Sequence, residues 1–379
     1  MPVDLGAPKL SRRTFTGSLA GAVALSPILS RRFTSAQSPS GSIRVGFEQG
    51  HVSEPFIDQT ANSLREAYPG IDIELEPFAA GDYSTQIVLQ LSMGRAPDVF
   101  MLSGVAIAEL ATSGLVAPLD RWLSGWDGWQ YFPETIRAAI AYEESIWGLP
   151  YPIDTHFLYY RRDLFAQAGL PTDWQPTHPD DILAAARAVR DATPNVIPYA
   201  LYAGANGGNS TVVRGFIPLV SAHGGTLTDD SGLWIIDSCA IRAALQYYEQ
   251  AYQIDETVPQ DVMTGASPVS AMRQALGAGD LGILYEGCWT YQPWVEANEA
   301  DATENIGFAL FPAAGSETPF AVGGVGNCLY INAASESQDL AWAFIAEFNS
   351  AANQTALNLT DPHIPAREDA AADPAFQES

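Results

Sequence analysis

Trp289 follows an apolar run from Leu281 to Tyr285, with Gly287 two positions before it. An indole at the mouth of a strand offers a flat face to the C–H side of a sugar-like ring. Carboxylates, amides and guanidinium groups can then satisfy the ring's hydroxyls two hydrogen bonds at a time. Glu48 and Gln49 present such groups side by side, Ser103 adds a hydroxyl, and Arg367 adds a rigid fork of donors. Gly324 would let the main chain approach a ligand closely. No G-x-S-x-G elbow, H-E-x-x-H pair or phosphate-binding loop occurs. Acidic residues abound, but nothing singles out two of them as an acid–base pair. The chemistry on offer is capture rather than catalysis, with no cofactor called for.

Other ligand classes have their own candidate residues. The adjacent phenols of Tyr159 and Tyr160 suggest ferric iron, although neighbours on one strand point to opposite faces. Glu48, Asp154 and Glu286 could hold a polyamine or another cation. Cys239, Cys288 and Cys328 lie far apart with no C-x-x-C pattern, which argues against zinc and leaves a Cys288–Cys328 bridge open. Trp126 and Trp129 flank Asp127-Gly128 and are expected to pack, with an extended binding surface as the alternative.

The elements that must position these residues follow from periodicity. Ile43, Val45 and Phe47 alternate with polar neighbours as in a half-buried strand. Ser53-Glu54-Pro55 opens a helix carrying Phe56, Ala61, Leu64 and Ala67 on one face, and Pro69-Gly70 stops it. Ile71, Ile73 and Leu75 alternate again, a helix is expected over 83–93, and the continuous apolar run 99–102 reads as a strand buried on both faces. This β-α-β-α-β order implies a parallel, doubly wound sheet, which binds ligands beyond the carboxyl ends of its strands. That rule selects residues 48–51 and 103–104. A second α/β region spans about 152–312, with helical stretches at 180–191, 240–252 and 268–276 and strand-like pieces at 155–160, 198–202 and 281–285. Residues 341–348 read as a late packing helix.

The chain has 379 residues, 47% hydrophobic and 11% aromatic, ample for a folded core. Its 44 acidic residues outweigh 18 basic ones, and a net charge of -26 repels nucleic acid and anionic lipid. Ser11-Arg12-Arg13-Thr14-Phe15 precedes a weakly apolar stretch from Leu19 to Leu29, too short to span a bilayer. It resembles a twin-arginine (Tat) export signal, expected to occupy residues 1–36 with cleavage after Thr34-Ser35-Ala36. A periplasmic or other extracytoplasmic, soluble mature chain follows, with no cysteine near the site for a lipid anchor.

Several segments, in order, resemble the family 1 extracellular solute-binding proteins, the maltose-binding-like receptors of ABC sugar importers. They are Tyr68-Pro69-Gly70-Ile71, Gly94-Arg95-Ala96-Pro97-Asp98-Val99, Trp147-Gly148-Leu149-Pro150-Tyr151 and Tyr159-Tyr160-Arg161-Arg162-Asp163-Leu164-Phe165. Gly287-Cys288-Trp289, Gly323-Gly324, Ala341-Trp342-Ala343-Phe344-Ile345 and His363-Ile364-Pro365-Ala366-Arg367 continue the match. The resemblance implies a two-lobed periplasmic-binding-protein fold (type II): α/β, each lobe a mostly parallel sheet flanked by helices, with discontinuous domains. Lobe one would comprise 43–151 and 316–334, and lobe two 152–315 and 335–379. Tyr151 would lie at the first hinge and Asp154 just beyond it, both within reach of a ligand. A mono- or oligosaccharide ligand and the membrane subunits of an ABC transporter are the partners implied. Family members carry further helices after the Pro-Ala-Arg element, so lobe two is expected to be cut short or incomplete at Ser379.

Overall fold

The computed structural model describes residues 41–79, 83–229, 231–260, 265, 267–315 and 318–378. The twin-arginine segment and its cleavage site fall outside them.

The first lobe is built on strands β1 (Ser42–Glu48), β2 (Asp72–Phe78), β3 (Val99–Ser103), β6 (Leu149–Pro150) and β12 (Asn327–Ile331), in the order β2-β1-β3-β12-β6. Between β3 and β6 lies a small hairpin of β4 (Ala141–Tyr142) and β5 (Ser145–Ile146). Ile43, Val45 and Phe47 point into the core as the alternation requires, and β3 is buried along Val99–Leu102. The helix Glu54–Ala67 lays Ile57, Ala61 and Leu64 on this sheet. β1 pairs in parallel with β2 and β3, whereas β12, arriving from the other lobe, runs antiparallel to β3.

The second lobe centres on the long strand β7 (Pro152–Arg161), with β8 (Ile197–Ala200), β9 (Leu281–Gly287) and β10 (Ile306–Ala309). The expected α/β class and two-lobed form stand. In detail the sheets are mixed: β8 and β9 are parallel, but β7 pairs antiparallel with both β9 and β10.

The chain leaves the first core at Tyr151–Pro152 and returns at Val325–Asn327. Here the packing departs from the expected division. Phe320 and Val322 stay with the second core, and Phe311 and Phe320 exchange backbone hydrogen bonds. The helix Gln338–Phe348 buries Leu340, Trp342, Phe344 and Phe348 in the first core, where Leu357 and Ala366 join it. Residues 335–366 were expected in lobe two; the helix Gln338–Phe348 instead covers β12 and the helix Glu54–Ala67, while Ile364 and Pro365 pair with the root of the second lobe's long strand.

The root of β7 is flanked on both sides. β11 (Gly323–Val325) pairs Gly324 with Asp154 and Val325 with Ile153, and β13 (Ile364–Pro365) pairs Ile364 with Ile153. Two short strands therefore flank the start of the long strand where the lobes join. The three cysteines are free, Cys239 exposed and Cys288 and Cys328 buried. Among the described residues no helix is long and apolar enough to cross a membrane.

Candidate functional site

The site grows out of the carboxyl end of β9. Glu286 is fully buried there, with Arg214 Nε 2.6 Å from Oε1 and Arg273 Nε 3.0 Å from Oε2. The Tyr202 hydroxyl donates to Oε2 at 3.2 Å and the Gly287 amide to Oε1 at 2.9 Å. A lone buried carboxylate would be costly, and two guanidinium groups compensate it. The Arg214 contact is one of charge rather than of an aligned hydrogen bond, because its buried Nε has no geometrically satisfied acceptor. Arg214 sits on a π-helical turn, Thr211–Phe216, the kind of local distortion that often re-aims a side chain at a working site.

Trp289 follows in the turn Cys288–Thr290, and the two arginines lie against its ring, at 5.3 Å (Arg214) and 6.0 Å (Arg273) from the centroid. Gly287 makes this placement possible: a Cβ there would fall 2.1 Å from the indole. His156 on β7 meets the indole edge-on, with 5.3 Å between centroids, and its Nδ1 lies 3.0 Å from the Val322 carbonyl. Burial pushes the His156 pKa down to about 4, so this imidazole is neutral near pH 7.

Asp154 lies beside this group, opposite Gly324 on β11. Gly326 leaves room for its carboxylate, since a Cβ there would stand 2.3 Å from Oδ1. Burial raises the Asp154 pKa, while His363 and Arg214 pull it back down. His363 stacks on Trp289 with centroids 5.3 Å apart and planes 11° apart. Its Nε2 is 3.5 Å from Asp154 Oδ1 and its Nδ1 3.2 Å from Asp361 Oδ2. From the first lobe, His51 stands just past β1, with Nδ1 2.7 Å from the Ser53 hydroxyl. Burial lowers its pKa, and it is close enough to Asp361, Glu48 and His363 for their charges to act on it.

The structure thus brings together Asp154, Trp289 and Gly324, with Glu48 approaching through His51. Gln49 and Ser103 are exposed at the ends of β1 and β3, where the parallel-sheet rule put them. Two expected site residues are committed elsewhere. Tyr151 is buried among Met101, Asn327 and Phe348, with its hydroxyl 2.8 Å from Met101 Sδ, and burial drives its pKa far up. Arg367 is also buried: it binds Asp369 through Nε and Nη2 at 2.9 and 2.7 Å, donates to the Asn349 carbonyl, and lies over Trp126 and Tyr131. Each of its three guanidinium nitrogens already has an acceptor. Trp126 packs against Trp342, and Trp129 against Phe132.

The cation reading loses one of its three carboxylates to the fold, and the iron reading loses both phenols. Glu286 is taken by the two arginines. Tyr159 packs on Trp294, and Tyr160 donates to the Thr172 carbonyl beside Trp174. Burial raises both phenol pKa values, against phenolate formation.

Sequence reasoning missed His363, Asp361, Arg214, Arg273 and His156. The chain has only 5 histidines and 18 strong bases, so Arg214, just after the Gly/Asn-rich stretch 204–209, and His363, two residues before Pro365, were the available signals.

A family model described as bacterial extracellular solute-binding protein matches residues 59–379. A Brucella abortus protein named only as a binding protein is 23% identical over 176 residues, 45% of this chain; the chain spans about two fifths of that relative, 41%. A solute-binding protein of an ABC transporter from Thermotoga lettingae, bound with alpha-D-tagatose, superposes with a TM-score of 0.74 at 22% identity, covering 89% of this chain and 86% of the other. Maltose-bound MalE3 of T. maritima gives a TM-score of 0.73 at 22% identity over 89% and 85%. At this identity the likeness is one of fold.

Proposed function

The chain belongs to the bacterial extracellular solute-binding proteins, and we propose that it captures a carbohydrate, a mono- or oligosaccharide, by hinge closure and delivers it to an ABC importer. The observation that carries this reading is Trp289, a partly exposed indole at the lobe junction with a carboxylate and two guanidinium groups about it. An apolar ring face beside planar acceptors and donors suits a polyhydroxylated ring. Trp289 is assigned the stacking role and Asp154 that of hydroxyl acceptor. Glu48, Gln49 and Ser103 form the first-lobe rim, and Gly324 allows close main-chain approach. The first lobe comprises 41–151 with 327–378, and the second 152–325, the three strands at the root of β7 serving as hinge. The structural neighbours bound with tagatose and maltose support the ligand class. The protein acts as a receptor and not an enzyme, in keeping with its solute-binding family. It works outside the cytoplasm, exported through the twin-arginine leader.

The test is a thermal-shift and tryptophan-fluorescence panel of maltose, mannobiose, tagatose, spermidine and ferric citrate. A sugar present at about a thousand times its Kd should stabilise the fold by about 4 kcal/mol. Stabilisation by spermidine or ferric citrate alone would overturn the reading. Export is tested by Arg12→Lys with Arg13→Lys, which should leave the precursor in the cytoplasm; continued secretion of the variant removes the twin-arginine assignment.

A further inference from the structure

The face of Trp289 that a ligand ring needs is already occupied. His363 lies flat on it, while Asp154, the proposed hydroxyl acceptor, faces His363 Nε2. We propose that His363 is an internal competitor of the saccharide: it fills the Trp289–Asp154 position, must swing aside for capture, and holds its place more firmly when protonated. This inference rests on the reading of Trp289 as the saccharide platform.

A displaced imidazole has somewhere to go. His363 borders a cavity of about 310 Å³ that Thr155, Phe157, Cys288 and Asn358 also line. Asn358 is 2% exposed, and its Oδ1 has no hydrogen-bond partner among the described residues. Asn358 thus stands in the wall with its acceptor buried behind the surface, and what the cavity offers the displaced ring is room.

The charge dependence follows from the surroundings. Burial opposes a charge on His363, but Asp361 and then Asp154 outweigh it, and the pKa is raised. The imidazolium is attracted to both carboxylates, and the neutral ring is held less. The hold is thus strongest below the raised pKa and relaxes as the pH climbs through it. The other groups facing the ring do not copy this behaviour. Burial lowers both His156, to about 4, and His51, so each takes up its proton at lower pH than His363 does. Glu286 is clamped by Arg214 and Arg273 behind the indole, and burial pushes the Cys288 thiol up to about 12. Glu48 acts on the first-lobe side through His51. Burial also raises Asp154, so its grip weakens only at the acid end.

The experiment titrates maltose, mannobiose and tagatose into wild type, His363→Ala and His363→Gln, from about pH 8 down to about pH 5.5. Wild-type affinity should fall about tenfold towards acid, the factor that follows if about nine-tenths of the molecules then hold the ring in place. Both variants should bind with little pH dependence and more tightly than wild type at the acid end. Added imidazole should restore the acid weakening in His363→Ala by filling the vacated position. A variant weaker than wild type at every pH would make His363 a ligand contact and overturn the proposal, as would a wild type without pH dependence. A sugar-free readout stands beside these: acrylamide quenching of Trp289, taken as wild type minus Trp289→Phe. It should be suppressed in acid and released in His363→Ala; equal quenching in the two overturns the proposal. Undiminished sugar affinity in Trp289→Ala would instead sink the platform reading itself.

Discussion

Single side chains here divide into those that touch the ligand position and those that hold the fold, and mutation separates them. Trp289→Ala should weaken saccharide binding at least about tenfold, since an aromatic contact is worth roughly 0.5–1.5 kcal/mol beyond the area it buries. Calorimetric titration checks this, and an unchanged Kd would refute the assignment. Arg367→Ala should do the reverse, costing about 3 kcal/mol of stability through a broken buried ion pair while leaving affinity intact. Parallel melting and binding curves distinguish the two. His156 gives a pH signature of its own. Its folded pKa of about 4 lies below the ordinary 6.5, so the unfolded chain binds the extra proton first, and stability is lost as the pH falls through that window. The loss amounts to about 3 kcal/mol, and His156→Gln should flatten the acid limb of a stability-versus-pH curve.

At the scale of elements, the strands were legible because their apolar residues alternate or run continuously, as in 43–47 and 99–102. The switch-point rule then put Glu48, Gln49 and Ser103 at strand ends without knowing the partner lobe. It could not find Arg214 or Arg273, which act from a π-helical turn and a helix through one buried carboxylate. Nor could it separate Trp289's two possible fates, packing or display. Gly287 decides that, because only a residue without a Cβ lets the indole fold back over the strand end. Gly287→Ala should therefore displace the ring and cut saccharide affinity about as far as Trp289→Ala, by about tenfold or more, with little change in melting temperature. Retained affinity would show that the ring has other room.

At the scale of the whole molecule, two cores joined at the root of β7 would make the proposed closure a rotation about a few strand residues, Ile153, Val325 and Ile364 among them. The net charge of -26 sets a further test. A neutral sugar should bind almost independently of ionic strength, whereas a polyamine would lose affinity steeply between low and physiological salt.

Composition, periodicity and motif order were enough for the α/β class, for two regions and for the family likeness, because each is a property of neighbours in the chain. The role of Tyr151, the commitment of Arg367 and the placing of residues 335–366 were not available that way. A tyrosine near the lobe junction and an arginine near the C-terminus look free in one dimension; whether they face a ligand depends on Phe348 and Asn349, which packing brings to them. His363 shows the limit most clearly. Its sequence neighbours give one carboxylate, Asp361, but its ring lies on Trp289 and beside Asp154, 74 and 209 positions away. Such long-range burial and charge are decided only when the chain closes on itself.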